Sequence, residues 1–355
     1  MKSGFFKSLG RVVGVVIAVL VVVTAVVFTW ASGGMNSDEL RTAEVLSFGD
    51  AQVVGSDSGA LKAISFNIAF GGGLTGNPTD RHPTGEVREN LDSIAAFITE
   101  KNPDIVFLQE VDRPSSRTGR VDQFEYLLKK TGMKHGCFVS TWHNRWVPFP
   151  LFPFAAQIGG VHSGQAILSR YPVSECRRIP LPQPSENAWW YNRFFLRRAI
   201  QHAIVDVGGG VSLDAVNVHL EAFSMSNRRE QAQILAEYVS TLPSDRPLVM
   251  AGDFNSLPPF TVQTKGFADE DTDFTGDDTI EIISSIRGLR EVFIDDRRGW
   301  SEARFHTFPA SQPTRRLDYV FYRGLGGGVA TVQRDKRFSD HLPIVAGFQF
   351  AGRSK

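Results

Sequence analysis

The feature that most constrains the fold is a series of short apolar runs, each ending at a polar residue or a turn. Runs of six to nine residues that alternate with glycine- and proline-rich turns predict β-strands. The predicted strands cover 61–68, 104–111, 164–169, 199–207, 212–220, 247–254, 316–322 and 344–350. A series of this kind indicates a sheet-rich domain.

Two longer stretches have helical periodicity instead. Residues 86–103 place one set of apolar side chains on a single helical face before Asn102-Pro103 ends the pattern: Val87, Leu91, Ile94, Ala95 and Ile98. Residues 227–242 predict a second amphipathic helix with these side chains inward: Ile234, Leu235, Tyr238 and Leu242. Because strands outnumber helices, we expect a layered α/β fold with mostly antiparallel sheets rather than a doubly wound one.

The N-terminal segment predicts an export or membrane signal. From Val12 to Trp30 there are nineteen residues without a charge, which as a helix span roughly 28 Å, close to the hydrocarbon core of a bilayer. Basic residues precede the segment and acidic residues follow it, which places residues 1–11 in the cytoplasm and the rest outside. A transmembrane signal-anchor over 12–30 is favoured over a cleaved signal peptide, whose apolar region is usually shorter.

The remaining chain divides into a linker and one large domain. Residues 31–59 are rich in Gly, Ser and Asp and predict a linker with at most one strand near 44–48. The catalytic domain is expected over 60–352. With 38 basic and 38 acidic side chains the net charge is zero, so charge gives no overall case for a nucleic-acid partner.

Cysteine content excludes a zinc site or a disulfide framework, because Cys137 and Cys176 are the only two cysteines. A single bridge between them and two inert buried thiols both remain open, and the thiols are favoured.

Polar residues recur where the predicted strands end. They are Asn67, Glu110, His219, Asp253 with Asn255, Asp318, and Asp340 with His341. A single acid at a strand end is usually a turn residue, but so many in one chain indicate a shared site. Carboxylate and carboxamide oxygens with two histidines and no thiolate suit Mg²⁺, or alternatively Mn²⁺.

Seven segments in order resemble the successive motifs of the endonuclease/exonuclease/phosphatase superfamily. They are SFNIAFGG, PDIVFLQEVD, GQAILSRYP, NVHLEAF, MAGDFNS, RLDYVFY and SDHLPIVA, and they extend over nearly all of residues 61–350. The resemblance implies a four-layer α/β sandwich in which two mixed, mostly antiparallel β-sheets are flanked by helices. Here one N-terminal transmembrane helix is expected to precede it.

The resemblance also implies a role for each site residue. Glu110 is expected to be the principal Mg²⁺ ligand, with Asn67 and Asp340 in or beside the metal's shell. Asp253 is expected to deprotonate the attacking water, although His341 remains an alternative base.

The other catalytic residues are expected to assist these groups. Asn255 would hold the Asp253 carboxylate or a phosphate oxygen. Asp318 would hydrogen-bond His341 and favour its cationic form, which then contacts the phosphate. His219 would be a second phosphate ligand or the donor to the leaving group.

The resulting functional prediction is an extracytoplasmic, metal-dependent hydrolase of phosphodiesters or phosphomonoesters, acting on a lipid headgroup or a small molecule. We expect a monomer that meets the membrane through its N-terminal helix. One alternative is an extracytoplasmic nuclease, for which these arginines are the available clusters: Arg193, Arg197, Arg198, Arg228 and Arg229. A catalytically inactive, membrane-tethered binding module is disfavoured by the intact site.

Two aromatic-rich stretches, 141–154 and 188–198, leave two interpretations open. They either pack in the core and its loops, or form a rim near the active-site mouth that touches a bilayer interface or stacks on bases. His162 is retained as a candidate substrate contact.

Overall fold

The computed structural model of the protein describes residues 2–35, 42–48, 59–77, 79–295 and 302–350. The helices in this part of the chain are α1 (Lys2–Ser32), α2 (Thr84–Lys101), α3 (Gln123–Thr131), α4 (Trp189–Asn192), α5 (Met225–Thr241), α6 (Thr279–Ser284) and α7 (Val292–Asp295). The strands are β1 (Glu44–Ser47), β2 (Ala60–Asn67), β3 (Ile105–Asp112), β4 (His135–Val147), β5 (Gly159–Ser169), β6 (Val173–Pro180), β7 (Ala199–Asp206), β8 (Ser212–His219), β9 (Leu248–Asp253), β10 (Arg290–Glu291), β11 (Asp318–Arg323), β12 (Leu325–Val332) and β13 (Ile344–Phe350).

The strands form two mixed sheets. The first has the order β1-β4-β5-β3-β2-β13-β12 and the second the order β10-β11-β9-β8-β7-β6. Neighbouring strands are antiparallel except for the parallel pairs β2–β3 and β8–β9. Each parallel pair therefore needs a crossover connection, and the two long amphipathic helices α2 and α5 provide them.

Packing produces four layers. Apolar side chains from both sheets meet in a central core that includes Phe107, Val249 and Phe348. Helices α2 and α3 cover the outer face of the first sheet, while α5 and α6 cover that of the second. The predicted four-layer sandwich of two mostly antiparallel sheets is confirmed.

Every predicted strand is present, but three further long strands were not predicted. β4 contains the aromatic-rich sequence TWHNRWV and is buried along most of its length, so it lacks an apolar–polar alternation. β6 is an edge strand of the second sheet with a polar sequence, and β12 begins with LGGG, which is typical of a turn. Edge strands and glycine-rich strands lack the apolar period that identifies a strand in sequence.

The two predicted helices are confirmed with different accuracy. In α2 the predicted apolar face is buried, and Asn102 ends the helix in the left-handed conformation with φ 52°. In α5 the buried face is rotated toward Arg228, Gln231 and Leu235. Three of the side chains predicted to face inward are only partly buried: Ile234, Tyr238 and Leu242. Polar side chains thus occupy part of the face that faces the sheet.

The N-terminal hydrophobic segment lies within one continuous helix, α1. The span Ser8–Ser32 is long enough to cross a membrane, its most apolar 18-residue window has a mean hydropathy of 3.0, and no residue of that window is fully buried. A signal sequence has the same properties. Strand β1 confirms the one strand expected in the linker, while residues 36–41 and 49–58 of that linker, and 351–352 of the predicted domain, lie outside the described residues.

The expectation of two free thiols is wrong. Cys137 of β4 and Cys176 of β6 form a disulfide. Because β4 belongs to the first sheet and β6 to the second, the bridge connects the two sheets. Their separation of 39 residues in the chain gives no sign of this pairing, since only the face-to-face packing brings the two strands together.

Candidate active site

The predicted site residues meet at one edge of the sandwich. Asn67 is the last residue of β2, His219 the last of β8 and Asp253 the last of β9. His219 and Asp253 are paired across parallel strands, and Asp318 at the start of β11 pairs with Asp253 from the other side. The register of the second sheet therefore places three of these side chains in one row.

Asp253 is at the centre of the site. Its Oδ2 lies 3.1 Å from Nδ2 of Asn67, 3.5 Å from Nε2 of His219 and 3.6 Å from Nε2 of His341. The side-chain amide of Asn67 also donates to Oε1 of Glu110 at 3.2 Å. Asn67 belongs to the first sheet and Asp253 to the second, so this amide connects the two sheets at the edge where the site residues meet.

Backbone conformation directs two of the site residues. Glu110 has φ 54° and lies at an irregularity in the pairing of β3 with β5, between Leu108 and Val111. Asn255 has φ 50°, its backbone N–H donates to Oδ1 of Asp253 at 2.9 Å, and its side-chain amide donates to the carbonyl of Leu220 at 3.0 Å. Such conformations cost about 1–3 kcal/mol each and are typical of functional sites.

Gly252 allows close approach of β9 to β8. It has φ 147°, and a Cβ atom at this position would lie 1.9 Å from the carbonyl oxygen of Val218. A side chain there would separate the strands that carry His219 and Asp253. The glycine of the GDFN segment therefore fixes the spacing between these two groups.

Burial and charge set the protonation of the site. Burial raises the pKa of Asp253 to about 7, although the nearby His341 opposes this. Burial disfavours a charged His341, but the carboxylates of Asp318 and Asp253 outweigh it and raise its pKa to about 10. Burial, with Arg198 and His341 nearby, lowers the pKa of His219 well below its ordinary value. At neutral pH the site thus contains a cationic and a neutral histidine.

Asp340 lies beside this row on the segment that precedes β13. The Ser339 hydroxyl is 2.8 Å from the carbonyl oxygen of Asn67 and 3.1 Å from Oδ1 of Asp340, which joins that segment to β2. Burial raises the pKa of Asp340 to about 6, and the negative charge of Glu110 contributes to the rise. The structure therefore brings together all eight residues that the sequence singled out.

Residues 64–341 match the family model described as the Endonuclease/Exonuclease/phosphatase family. The chain belongs to this family. Its members are metal-dependent phosphoester hydrolases, so the predicted family and enzyme class are confirmed.

Sequence comparison finds a relative that matches part of the chain. The chain is 28% identical over 195 residues to the uncharacterized protein YbhP of Escherichia coli K12, over 52% of this chain and 62% of that protein. The chain thus matches less than two thirds of the length of this relative.

Solved structures share the fold at low identity. An endonuclease/exonuclease/phosphatase from Beutenbergia cavernae has a TM-score of 0.57 and 24% identity, covering 82% of this chain and 72% of that one. TDP2 of D. rerio, humanized by 14 mutations, has a TM-score of 0.53 and 18% identity, covering 82% and 100%. A mannosyl-6-phosphatase from Bacteroides thetaiotaomicron has a TM-score of 0.54 and 16% identity, covering 82% and 100%.

Two groups of oxygen-bearing residues are candidates for the divalent cation of an endonuclease/exonuclease/phosphatase. Asp253, Asp318 and His341 have ligand atoms within 4.8 Å of one another. However, Nδ1 of His341 bonds Asp318 at 2.8 Å and the imidazole is cationic, which removes its lone pair from coordination. Glu110 and Asp340 instead offer two carboxylates, and a divalent cation would relieve their mutual repulsion. Their oxygen atoms suit such a cation.

Sequence reasoning missed several residues that support the site. Thr307 accepts from the backbone N–H of Asp318 at 3.3 Å, and the Phe308 ring lies 4.7 Å from that of His341. Buried Arg198 lies 4.0 Å from the buried carboxylate of Glu221, two residues after His219. Ser339 and Glu221 lie within the quoted motifs SDHLPIVA and NVHLEAF, whereas Thr307, Phe308 and Arg198 lie outside the motifs. His162 bonds the Ser140 hydroxyl at 2.7 Å and stacks on His143, so it lies outside the row of site residues.

Proposed function

We propose that the protein is an extracytoplasmic, Mg²⁺-dependent phosphoesterase that hydrolyses a phosphodiester or phosphomonoester in a lipid headgroup or a small molecule. The observation that carries the proposal is the surroundings of Asp253. One buried carboxylate oxygen faces an amide and two imidazole nitrogens within 3.6 Å, beside the acidic pair of Glu110 and Asp340. This arrangement combines a base, phosphate ligands and a cation site.

Glu110, Asp340 and Asn67 would hold the divalent cation, as the sequence predicted. Their carboxylate and carboxamide oxygens suit Mg²⁺, and Mn²⁺ is the alternative. A bound cation would supply positive charge against the phosphate and the leaving oxygen.

The protein's own residues supply the base and the contacts to the phosphate. Asp253 accepts a proton from the water that attacks phosphorus, since its raised pKa of about 7 makes it a better base than an ordinary carboxylate. The cationic His341 contacts a non-bridging phosphate oxygen, held in place by Asp318. His219 is neutral and donates a hydrogen bond to the phosphate through its ring N–H. Asn255 fixes the Asp253 carboxylate through its backbone N–H.

The extracytoplasmic location has two supports. The basic residues that precede the apolar part of α1 favour a cytoplasmic N-terminus. The Cys137–Cys176 bridge is typical of oxidising compartments and rare in the cytosol. Retention of α1 as a signal-anchor and a monomeric state remain predictions.

The pairing of the arginines argues against the nuclease alternative. Arg228 bonds Asp277 at 2.9 Å and Arg229 bonds Asp278 at 2.6 Å, while Arg198 is buried beside Glu221. Three of the five arginines that a nucleic-acid track would use are thus already neutralised by the protein.

The test follows Mg²⁺-dependent cleavage by the full chain in phospholipid vesicles, with an aryl phosphodiester and plasmid DNA as separate substrates. We expect hydrolysis of phospholipid headgroups and of the aryl diester, but not of DNA. The Asp253→Ala variant should lose at least about 10³-fold in turnover while keeping the fold. Cleavage of DNA alone would establish the nuclease, and no cleavage of any substrate would favour the binding module.

A further inference from the structure

The aromatic-rich loop after β4 lies at the same edge of the sandwich as the active site. Asp112, two residues beyond Glu110 in β3, pairs with Ser163 of β5, and Ser163 pairs with Trp142 of β4. Strand β4 then continues for five residues, to Val147, which carries it roughly 16 Å past this row at about 3.3 Å per residue. The loop 148–158 is therefore on the catalytic side of the first sheet.

The second aromatic stretch, 188–198, ends at the same edge of the sandwich, where β7 of the second sheet begins. Strand β7 begins at Ala199, and its next residue Ile200 pairs with Val218, the neighbour of His219. The connection 181–198 thus lies beside the end of β8 that carries His219. The ring of Phe195 in this connection is 6.3 Å from that of the exposed Phe223, just after β8.

These two loops expose large apolar side chains. We define the aromatic rim as Phe149, Leu151, Phe152, Phe154, Trp189 and Trp190, whose exposed fractions lie between 53% and 73%. Soluble monomers rarely expose so many large apolar groups together, so a set of this kind marks a surface that contacts a partner. Tryptophan with phenylalanine is also the composition of the interface belts of membrane proteins.

The C-terminal end of α1 is attached to this same edge. The backbone N–H of Arg145, near the end of β4, donates to the carbonyl of Gly33 at 2.7 Å, and the side chain of Asn144 donates to the carbonyl of Ser32 at 3.1 Å. The chain that leaves the apolar helix is thus paired with the strand that leads into the aromatic rim.

A contact between the apolar helix α1 and the aromatic rim indicates how deep the rim lies in the membrane. The Phe28 ring packs edge-on against Trp189, with 5.7 Å between centroids, and against Phe194 at 5.4 Å. Phe28 lies four residues before Ser32, roughly 6 Å back along the helix at 1.5 Å per residue. A tryptophan that contacts this part of a membrane-spanning helix lies at the level of the lipid headgroups or below.

We propose that the aromatic rim inserts into the outer interface of the bilayer that α1 spans, so that the catalytic edge faces the membrane surface. The exposed Arg145 and Arg193 lie beside the rim and suit the phosphates of the headgroups. Combined with the proposed function, on which this step rests, the orientation selects a phosphate ester of a lipid headgroup as substrate. A substrate in the membrane plane then reaches the site without leaving the bilayer.

The insertion is tested by spin labels on single cysteines in the full chain reconstituted in phospholipid vesicles. Both native cysteines are in a disulfide, so Phe152→Cys and Trp190→Cys each present one thiol. The matched control is Val329→Cys, which is also apolar and 61% exposed but pairs with Gly347, opposite Lys62 at the other end of β2.

We expect collisions with oxygen to exceed those with a water-soluble nickel chelate at positions 152 and 190, with the reverse at 329. Equal accessibility to the nickel chelate at all three positions would overturn the proposal. If one cysteine variant does not fold, Phe154→Cys replaces it. This measurement involves no catalysis, so its outcome is independent of the proposed phosphoesterase activity.

A kinetic comparison then separates the two proposals. The double variant Phe152→Ser with Trp190→Ser should lower hydrolysis of vesicle phospholipid by about tenfold or more while leaving that of a soluble aryl phosphodiester unchanged. An equal loss on both substrates would contradict a role in membrane docking. Absence of any hydrolysis in the unaltered chain, with lipid-exposed labels, would reject the proposed function and retain the insertion.

Discussion

The carboxylate of Asp318 holds His341 from the side opposite to the centre of the site. Its Oδ2 lies 2.8 Å from Nδ1 of His341, and Nε2 of the same ring faces Oδ2 of Asp253 at 3.6 Å. All three side chains are buried. The pair thus presents one defined imidazole nitrogen to the centre of the site and keeps the ring cationic.

Replacing Asp318 by Asn should lower both the turnover rate and the pKa of His341. The amide retains the shape but removes the charge that raises the pKa of His341, so we expect kcat on an aryl phosphodiester to fall by about 10²–10⁴-fold. The matched control is Asp335→Asn, since Asp335 is an exposed carboxylate beside Lys336. NMR titration of His341 should show a pKa below about 10 in Asp318→Asn. An unchanged titration would contradict the assigned partnership.

The pH dependence of kcat/KM follows from two groups with opposite requirements. Asp253 works as a base when it is deprotonated, so the rate should rise with pH through its pKa of about 7, or at lower pH where a bound cation stabilises the carboxylate. His341 works as a cation, so the rate should fall as pH rises through about 10. Initial rates between pH 5 and 11 measure both limbs. If His341 were the base instead, activity would increase rather than decrease through the upper pKa.

The Mg²⁺ concentration that the enzyme requires should depend mainly on Glu110. Removing divalent cations with a chelator should abolish turnover, and Mg²⁺ or Mn²⁺ should restore it. In Glu110→Gln one charge of the acidic pair is lost, so the Mg²⁺ concentration for half-maximal rate should rise by about tenfold or more. Glu175→Gln, at an exposed carboxylate that pairs with Arg177, serves as the control and should leave that concentration unchanged. A normal Mg²⁺ requirement in Glu110→Gln would place the cation elsewhere.

Much of the site was predictable because its polar residues recur at the ends of several apolar strands, in a larger number than turns explain. The sequence could not provide the distances between them. Those depend on Gly252 and the irregularity at Glu110, which act within each sheet, and on the amide of Asn67, which acts only after the two sheets have packed. The disulfide was missed for the same reason, since no local pattern relates β4 to β6.

The aromatic stretches show a similar division. Their composition indicated either core packing or an exposed rim, and the structure contains both: Trp142 is buried while Trp189 is exposed. In β4 the residues from His135 to Trp142 are all buried, and beyond Val147 the chain leaves the sheet. A list of aromatic residues without strand register cannot separate the two groups.

A buried network of carboxamides beneath the site was not predicted at all. Nδ2 of Asn217 lies 2.9 Å from the carbonyl of Leu108 and 3.0 Å from Oε1 of Gln201, and its Oδ1 accepts from Gln109 at 2.7 Å. Asn217 precedes His219 by two residues in β8, and Gln109 precedes Glu110 in β3. The network therefore links the two sheets directly behind the residues of the catalytic edge.

Removing this network should destabilise the protein more than it alters chemistry. Asn217→Ala leaves several buried polar groups without their partner, so we expect a loss of about 3–5 kcal/mol in the free energy of unfolding. At roughly 2–4 °C per kcal/mol for a domain of this size, the apparent Tm in detergent should fall by about 10 °C. Gln349→Ala removes an exposed carboxamide from a strand and should leave Tm within about 1 °C of the unaltered protein. Because His219 and Glu110 are positioned through their neighbours in this network, the residual kcat of folded Asn217→Ala should fall as well. A normal Tm in this variant would show that the network contributes little to the stability of the packed sheets.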